Sequence, residues 1–242
     1  MTKIINIAML LALVLLVVSF SKRNDFPDTV DAVRELANEP QQTQINVSAF
    51  EARYGDVSYQ VAPEYEYELY GLVVSYRHHS GDSMLHKLWN DHLNMTDVCV
   101  VWGKTALSAY LNQFDFWNGQ FTCNFSTRSD IAWNSFDQYQ ISNNHLISDD
   151  EVLRKKIQKL NVGDQIRVAG FLSSYGQDGG GKRGTSTVRT DTGNGACETI
   201  FVKEFDIVKQ ASNPWRTTMM LSLFSLISLV FIYFIAPFRA HS

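Results

Sequence analysis

Residues 148–175 read SDDEVLRKKIQKLNVGDQIRVAGFLSSY and specify a helix, a turn and a strand in succession. Ser148 and Glu151 have the spacing of a capping box, in which a hydroxyl and a carboxylate satisfy the first free N–H groups of a helix. Apolar residues then recur at helical spacing, at Leu153, Ile157 and Leu160. After a turn at residues 162–164, side chains alternate with the two-residue period of a strand. We therefore expect a short helix that leads directly into a strand.

Further strands are predicted on both sides of this passage. Residues 65–76, YEYELYGLVVSY, combine tyrosines with branched aliphatic side chains, and Gly71 stands where a long strand would bend. The other strands are expected at residues 97–102, 120–126 and 198–209. Residues 127–147, rich in Asn, Ser and aromatic side chains, are expected to form an insertion. The predicted order is three strands, one helix and two strands.

This order resembles that of OB domains, and in particular that of the small bacterial OB domains called tRNA-anticodon-binding-like. The resemblance covers residues 65–209 and rests on the element order, on Gly71 and on the passage LNVGDQIRVAG at residues 160–170. It implies a mainly β fold, a five-stranded OB-like barrel (β-β-β-α-β-β) with an insertion. No functional residue follows from it, because OB barrels host many unrelated activities.

Both ends of the chain are apolar. Residues 217–236 carry no charged side chain, and 20 residues at about 1.5 Å each cross a hydrocarbon core of about 30 Å. The first run, residues 4–20, follows Lys3 and precedes a small-x-small site at residues 19–21, as in a secretory signal. It is longer than the usual apolar region of about 7–15 residues, which favours an uncleaved anchor.

Four segments are therefore expected: an anchor or uncleaved signal at 1–21, a linker with a short helix at 22–62, the OB-like domain at 63–210 and a transmembrane helix at 215–238. The count of basic residues beside the two apolar runs is close to a tie and does not set the orientation. The first run looks like an export signal, which favours an extracytoplasmic domain. We expect a two-pass protein of the bacterial inner membrane with a periplasmic domain.

The charge of the chain disfavours one class of partner, and its cysteine content indicates the cellular compartment. The chain holds 21 Lys and Arg against 25 Asp and Glu, a net charge of −4. Two of the basic residues, Lys3 and Arg239, lie outside the soluble part, which is therefore more acidic than the whole chain. An acidic surface disfavours nucleic-acid binding, which needs clustered Lys and Arg. Three cysteines allow one disulfide and fit an oxidising compartment.

Histidines cluster in the loop after the first strand, at His78, His79, His86 and His92. Neutral imidazoles are good zinc ligands, and catalytic zinc sites often use three protein ligands. The spacing matches no recognised metal motif, so neither a metal site nor a cofactor is expected. A metal-dependent hydrolase that uses the 78–92 loop is the alternative function.

The other patterns that suggest catalysis are incomplete. Residues 191–193 form the Asp-Thr-Gly tripeptide of aspartic proteases, but a turn explains them better because no apolar strand leads into them. Cys197 would be a nucleophile if a histidine activated it, but a Cys beside an apolar strand is more often a small buried hydrophobe. Cys99 and Cys123, on strands predicted to be adjacent, are candidates for a disulfide or a packed pair. No catalytic residue is assigned, and the chain is not expected to be an enzyme.

The positions of two long loops predict where a ligand would bind. OB barrels bind ligands on the second and third strands, between the loop that joins strands one and two and the loop that joins strands four and five. Both loops are long here, and aromatic platforms with a few polar groups suit sugars, peptides or single-stranded bases. The candidate partner-binding residues are His86, Trp89, His92, Trp102, Trp117, Phe121, Arg183, Arg189, Asp191 and Asn194. An alternative of equal weight is that these aromatic side chains fill the core and do not contact a ligand.

Together these features predict a membrane-anchored, extracytoplasmic binding or assembly module of the bacterial envelope. Its expected partner is a protein in a membrane complex, or a glycan, docked between the two long loops. Arg189 is expected to pair with a partner carboxylate through its planar guanidinium. If the loop is only a linker, Arg189 is solvated and its substitution changes stability by less than about 0.5 kcal/mol.

Overall fold

The structure, a computed structural model, describes residues 2–27, 29–79, 90–177, 180–193 and 196–235. Its helices are α1 (Thr2–Lys22), α2 (Gly103–Ala106), α3 (Asp130–Ser135), α4 (Glu151–Ile157) and α5 (Pro214–Ile235), with 3-10 turns at Arg34–Ala37 and Leu111–Gln113. Its strands are β1 (Gln41–Gln44), β2 (Phe50–Tyr54), β3 (Val57–His78), β4 (Asn94–Val101), β5 (Phe114–Asn118), β6 (Cys123–Thr127), β7 (Ile141–Ile147), β8 (Gln165–Gly176), β9 (Lys182–Arg183) and β10 (Cys197–Lys209). The chain divides into two compact units, Met1–Pro27 with Ser212–Ser242, and Asp28–Ala211.

The first unit contains the two apolar helices, α1 and α5, which pack against each other. Both are long and apolar enough to cross a membrane, with spans of 20 and 22 residues and mean hydropathies of 2.7 and 2.3. At one end of the pair, Arg216 Nε donates to the carbonyl oxygen of Arg23 at 2.9 Å. Lys22 Nζ lies 5.3 Å from the ring centre of Trp215. The two-helix unit is consistent with the predicted anchor and transmembrane helix.

The second unit is built on an eight-stranded sheet, and the predicted mainly β fold is confirmed. The sheet runs β1-β3-β4-β7-β10-β8-β9, with β2 paired to β3. A further pairing joins β3 to β8, so the pairings of β3, β4, β7, β10 and β8 return to their starting strand. Among these five strands only β7 and β10 pair in parallel. The expectation of five strands was too low, because short strands pair along the edges of β3 and β8.

The decisive stretch folds as predicted, with one difference at the cap. Asp150, rather than Ser148, accepts from the first free N–H groups of α4, at 2.6 Å from Val152 N. Ser148 Oγ instead accepts from Asp150 N at 3.1 Å. The turn before β8 contains Gly163 at φ +88°, a conformation that L side chains rarely adopt.

Gly71 lies inside β3, beside Leu72, the residue at which the pairing of β3 passes from β8 to β4. A Cβ at this position would lie 2.7 Å from Val100 Cβ, so glycine permits the close approach of β4. The register of β3 shifts elsewhere, between Pro63 and Tyr65 against β8 and between Val73 and Ser75 against β4.

A strand forms in the stretch predicted at residues 120–126, but it is not the third strand of the main sheet. Residues of this stretch belong to β6, which pairs only with β5 in a separate two-stranded hairpin. The strand that joins β4 to β10 is β7, within the segment expected to be an insertion. Four consecutive polar residues of β7, from Ser142 to His145, are buried. An apolar periodicity therefore could not reveal this strand.

The segment at residues 22–62 is not a linker. It supplies β1, β2 and the first part of β3, and its 3-10 turn buries Leu36 completely. Tyr59 and Val61 are also buried, in a small cluster with Leu93 and Tyr175. The strands at the sheet edge are short and mostly polar, so they lack the alternating pattern that would have indicated them.

Candidate functional site

One face of β4, β7 and β10 carries polar side chains in register. Asp97 of β4 lies opposite His145 of β7, and Cys99 lies opposite Asn143. Asn143 in turn lies opposite Cys197 of β10. Residues two apart on a strand share a face, so the three strands bring these five side chains to one surface. This face is polar. The opposite face of the same three strands is apolar and contributes Val98, Leu146 and Ile200 to the core.

Asp97 is the centre of this cluster and is fully buried. Its Oδ1 lies 2.5 Å from His145 Nδ1 and accepts from Asn94 Nδ2 at 3.2 Å. Its Oδ2 lies 3.0 Å from His79 Nε2. Burial alone would favour the neutral carboxyl, but the hydrogen bonds from His145 and His79 hold the pKa of Asp97 well below its usual range. Asp97 is therefore a carboxylate between two imidazoles.

His145 connects this carboxylate to a thiol. Burial lowers the pKa of His145, but the side-chain hydrogen bonds to Asp97 and Cys197 outweigh it and raise the pKa to about 9. Because Nδ1 faces Asp97, Nε2 is the ring nitrogen left to contact the sulfur of Cys197. Carboxylate, imidazole and thiol thus follow one another in a line.

Among the residues that the structure describes, Cys197 is the cysteine outside the disulfide, and it is half-buried. Asn143 Nδ2 donates to its sulfur at 3.5 Å, and the sulfur lies 3.6 Å from the carbonyl oxygen of Phe121. Asn118 Nδ2 donates to Asn143 Oδ1 at 3.2 Å and so fixes the amide. The thiol opens onto a cavity of about 650 Å³ that Trp117 and Asp191 also line.

The β5–β6 hairpin covers the cluster and is held there by a disulfide. The bridge joins Cys99 of β4 to Cys123 of β6, the two cysteines for which a bridge or packed pair was predicted. It connects the sheet to the hairpin, and not two adjacent strands as expected. At the hairpin turn, Phe121 has φ +60° and places its ring centre 6.0 Å from those of His79 and His145. A non-glycine residue in this conformation is uncommon and often marks a functional site.

A second cavity, of about 830 Å³, lies between the β3–β4 and β8–β10 connections. Arg183 Nη2 lies 3.3 Å from Asp91 Oδ2, and the guanidinium lies 4.0 Å from the ring centre of Phe121. Tyr175 donates its hydroxyl to Asp91 Oδ1 at 2.9 Å. Side chains from both long loops and from the hairpin therefore meet at this cavity.

Backbone and amide groups complete the wall of this second cavity. Gln177 Nε2 donates to the carbonyl oxygen of Asn90 at 2.8 Å, which ties the two loops together. Glycines line the loop side, at Gly176, Gly180, Gly181 and Gly184. A Cβ at Gly181 or Gly184 would meet open space, so these glycines leave the backbone accessible. Lys182, between them, is exposed.

The predicted site residues divide between several places. Phe121 and Arg183 line the 830 Å³ cavity, whereas Trp117 and Asp191 line the 650 Å³ cavity. His92 Nε2 lies 2.9 Å from Asn90 Oδ1, beside the larger cavity. The predictions for His86, Trp89 and Asn194 lie outside the described residues.

Two predicted site residues, Trp102 and Arg189, face the interior. Trp102 is 1% exposed and belongs to the core cluster. Arg189 Nη1 pairs with Glu198 Oε1, and the guanidinium lies 5.1 Å from the ring centre of Trp102. The β8–β10 connection thus folds Arg189 back onto a buried carboxylate of this chain, which accounts for the charge that was expected to meet a partner.

The residues that sequence reasoning missed are Asp97, Asn143 and His145. The signal was polar residues two apart within a strand, which share a face. It was hidden because β7 had been assigned to an insertion. The contacts are also distant in sequence: 48 positions separate Asp97 from His145, and 54 separate Asn143 from Cys197.

The loop histidines do not gather around a common point in the part of the chain that the structure describes. His78 Nδ1 lies 2.9 Å from Thr96 Oγ1, whereas His79 faces Asp97. Within these described ranges, no group of three or more His, Cys, Asp or Glu residues is placed to hold a metal ion. The alternative of a metal-dependent hydrolase gains no support from these residues.

Comparison with protein-family models, with curated proteins and with solved structures gives no match.

Proposed function

We propose that this protein is a membrane-anchored binding or assembly module that docks a protein or glycan partner at the 830 Å³ cavity. The observation that carries the proposal is the meeting of Asp91, Phe121 and Arg183 at this cavity. They come from the β3–β4 connection, the hairpin and the β8–β10 connection. The two long loops thus form one concave surface at the place where OB-like barrels receive ligands.

An OB-type barrel is the second part of the proposal. Its support is the chain order of β3, β4, β7, α4, β8 and β10, which is three strands, a helix and two strands. The pairings of these five strands also form a closed cycle. In this interpretation β1, β2 and β9 extend the barrel at its edges, and the β5–β6 hairpin is an insertion that covers one face.

The cavity chemistry favours a partner that presents a carboxylate. Arg183 is matched by Asp91, whose carboxylate also accepts from Tyr175. Exposed Lys182 adds a positive charge at the rim. A guanidinium and an ammonium beside accessible backbone N–H groups suit a carboxylate, and the Phe121 ring suits an apolar or sugar face. An acidic peptide segment and an acidic glycan both have this chemistry.

Co-purification from detergent-solubilised membranes tests the docking surface. Lys182→Ala is expected to lower recovery of the partner about tenfold, which corresponds to about 1.4 kcal/mol of binding, with an unchanged melting temperature. Lys104→Ala is the matched control, because Lys104 is 67% exposed and pairs with Asp137 outside the cavity. Equal recovery with the two variants would remove the cavity from the account.

For the membrane arrangement we propose a two-pass inner-membrane protein with cytoplasmic termini and a periplasmic domain. The two apolar helices and the Cys99–Cys123 disulfide support it, because disulfides persist in oxidising compartments. A fluorescent protein fused at the carboxyl terminus should fluoresce in the cytoplasm. Protease added to spheroplasts should digest the domain but not the fused reporter. A protected domain would contradict this orientation.

A further inference from the structure

The docking proposal leaves the polar line of Asp97, His145 and Cys197 without a role. His145 Nδ1 lies 2.5 Å from Asp97 Oδ1. The parallel pairing of β7 with β10 sets Cys197 opposite Asn143, two residues from His145 on the same face, and the interaction with Cys197 contributes to the raised pKa of His145. A nucleophile in contact with a base, which a third group orients, is the arrangement of covalent catalysis. A purely structural cysteine would need neither a buried imidazole nor a buried carboxylate behind it.

The sulfur is also accessible to a substrate. Cys197 is half-buried and lines the 650 Å³ cavity, whereas His145 and Asp97 are 4% and 0% exposed. The acid–base pair is therefore shielded from water, while the thiol faces open space. Phe121 contributes to this shielding, because its ring packs near His145.

Asn143 supplies a hydrogen-bond donor beside the sulfur. Of the two N–H groups on its Nδ2, one donates to the carbonyl oxygen of Phe121 at 3.2 Å and the other faces Cys197 Sγ at 3.5 Å, while Asn118 holds the amide oxygen. A carbonyl group attacked by the sulfur develops negative charge on its oxygen, next to this amide. A fixed donor at such a point stabilises the tetrahedral oxyanion.

We propose that Cys197 is the nucleophile of an acyl-transfer site whose substrate is a carboxylic acyl donor, an ester, thioester or amide, bound in the 650 Å³ cavity. His145 is the general acid–base, Asn143 is the oxyanion donor and Asp97 is a positioning residue. The acyl group faces an apolar wall formed by Trp117, Phe125 and Ile141. This activity departs from the expectation that the chain is not an enzyme.

The proposed reaction conserves atoms and charge. His145 carries a proton on Nε2 at the start, in keeping with its raised pKa, and the sulfur of Cys197 reacts as a thiolate beside this imidazolium. The thiolate adds to the acyl carbon and forms a C–S bond; the oxyanion then collapses, the bond to the leaving group breaks, and the leaving group takes the proton from His145. Water next gives a proton to His145, its oxygen adds to the thioester, and C–S cleavage restores the thiolate beside the imidazolium. One acyl donor and one water become a carboxylic acid and the protonated leaving group.

Several titratable groups surround the reacting pair. Asp97 and, through it, His79 face His145 from β4 and from the residue after β3. Asp191 lines the cavity beside Cys197 from the β8–β10 connection. The test therefore compares variants at one pH, near 7, and does not depend on a pH optimum.

The test uses the full-length protein in detergent with p-nitrophenyl acetate and, separately, iodoacetamide as probes. We expect a burst of about one nitrophenolate per chain and acetylation of Cys197, detected by peptide mass spectrometry. Cys197→Ala should abolish both, and His145→Gln should slow acetylation at least about 100-fold. Lys104→Ala is the control and should leave the burst unchanged.

Asn143→Ala distinguishes catalysis from a merely reactive thiol. It should slow acetylation by about 10²–10³-fold, because acetylation develops an oxyanion. It should leave alkylation by iodoacetamide within about threefold, because alkylation develops none. This variant remains informative if His145→Gln fails to fold.

Three results would overturn the proposal. They are a burst that survives in Cys197→Ala, acetyl groups found on lysines instead of Cys197, and equal slowing of both probes by Asn143→Ala. A further contrary result is a Cys197 recovered in mixed disulfide with Cys123, which would indicate thiol–disulfide exchange in the cavity they share. Partner recovery by Cys197→Ala should be unchanged, so failure here does not affect the docking proposal.

Discussion

Arg189→Ala is expected to lower the free energy of unfolding of the domain by about 3–5 kcal/mol, because it leaves a buried carboxylate unpaired. The side chain of Glu198 is 4% exposed, and Arg189 is its ion-pair partner. The guanidinium also donates to Tyr67 Oη at 3.4 Å and lies over Trp102. The loss therefore removes a charge pair and a packing contact together.

Urea denaturation followed by tryptophan fluorescence measures this effect in full-length protein. Arg128→Ala is the matched control, since Arg128 is exposed, and should change stability by less than about 0.5 kcal/mol. Adding Glu198→Gln to Arg189→Ala should restore part of the loss by removing the unpaired charge. A loss below about 1 kcal/mol in Arg189→Ala would show that Glu198 finds another partner or water.

The stability of the domain is expected to fall as the pH rises from about 6.5 to about 9. The pKa of His145 is raised from 6.5 to about 9 in the fold, so its contribution is fully present below 6.5 and lost as the pH passes through 9. A shift of this size corresponds to about 3 kcal/mol. Asp97 acts at the other end, because its lowered pKa stabilises the fold above 3.8 and this contribution is lost in stronger acid.

Denaturation at pH 6, 7.5 and 9 tests this dependence. His79, Asp97 and Cys197 also face this cluster, so the decisive quantity is the difference between the wild type and His145→Gln. The variant should be less stable at pH 6, and the difference should shrink by about 3 kcal/mol towards pH 9. A constant difference across this range would mean that His145 is neutral in the fold.

Patterns within single stretches of sequence were sufficient to predict some helices and strands but not others. The α4–β8 passage was predictable because its cap, apolar spacing and turn all lie within one continuous stretch. Strand β7 was not, since its buried Asn143, Asn144 and His145 satisfy hydrogen bonds instead of filling the core. An amphipathic pattern records apolar burial and misses a strand whose buried face is polar.

The site was predictable only in outline. Arg183 and Arg189 lie six positions apart in one loop, and nothing local separates a cavity arginine from an internal one. Their roles differ because Arg183 reaches Asp91 of the other loop, whereas Arg189 reaches Glu198 at the start of β10. The thiol–imidazole contact likewise depends on the parallel pairing of β7 with β10, which no local pattern specifies.

The most direct test of the docking cavity is photo-cross-linking in intact cells. A photoreactive amino acid at position 182 stands at the rim of the cavity, and the same residue at position 104 lies outside it. We expect one dominant light-dependent product from position 182, absent from position 104 and weakened when Arg183→Ala is added. No product from position 182, or the same products from both positions, would contradict docking at this cavity.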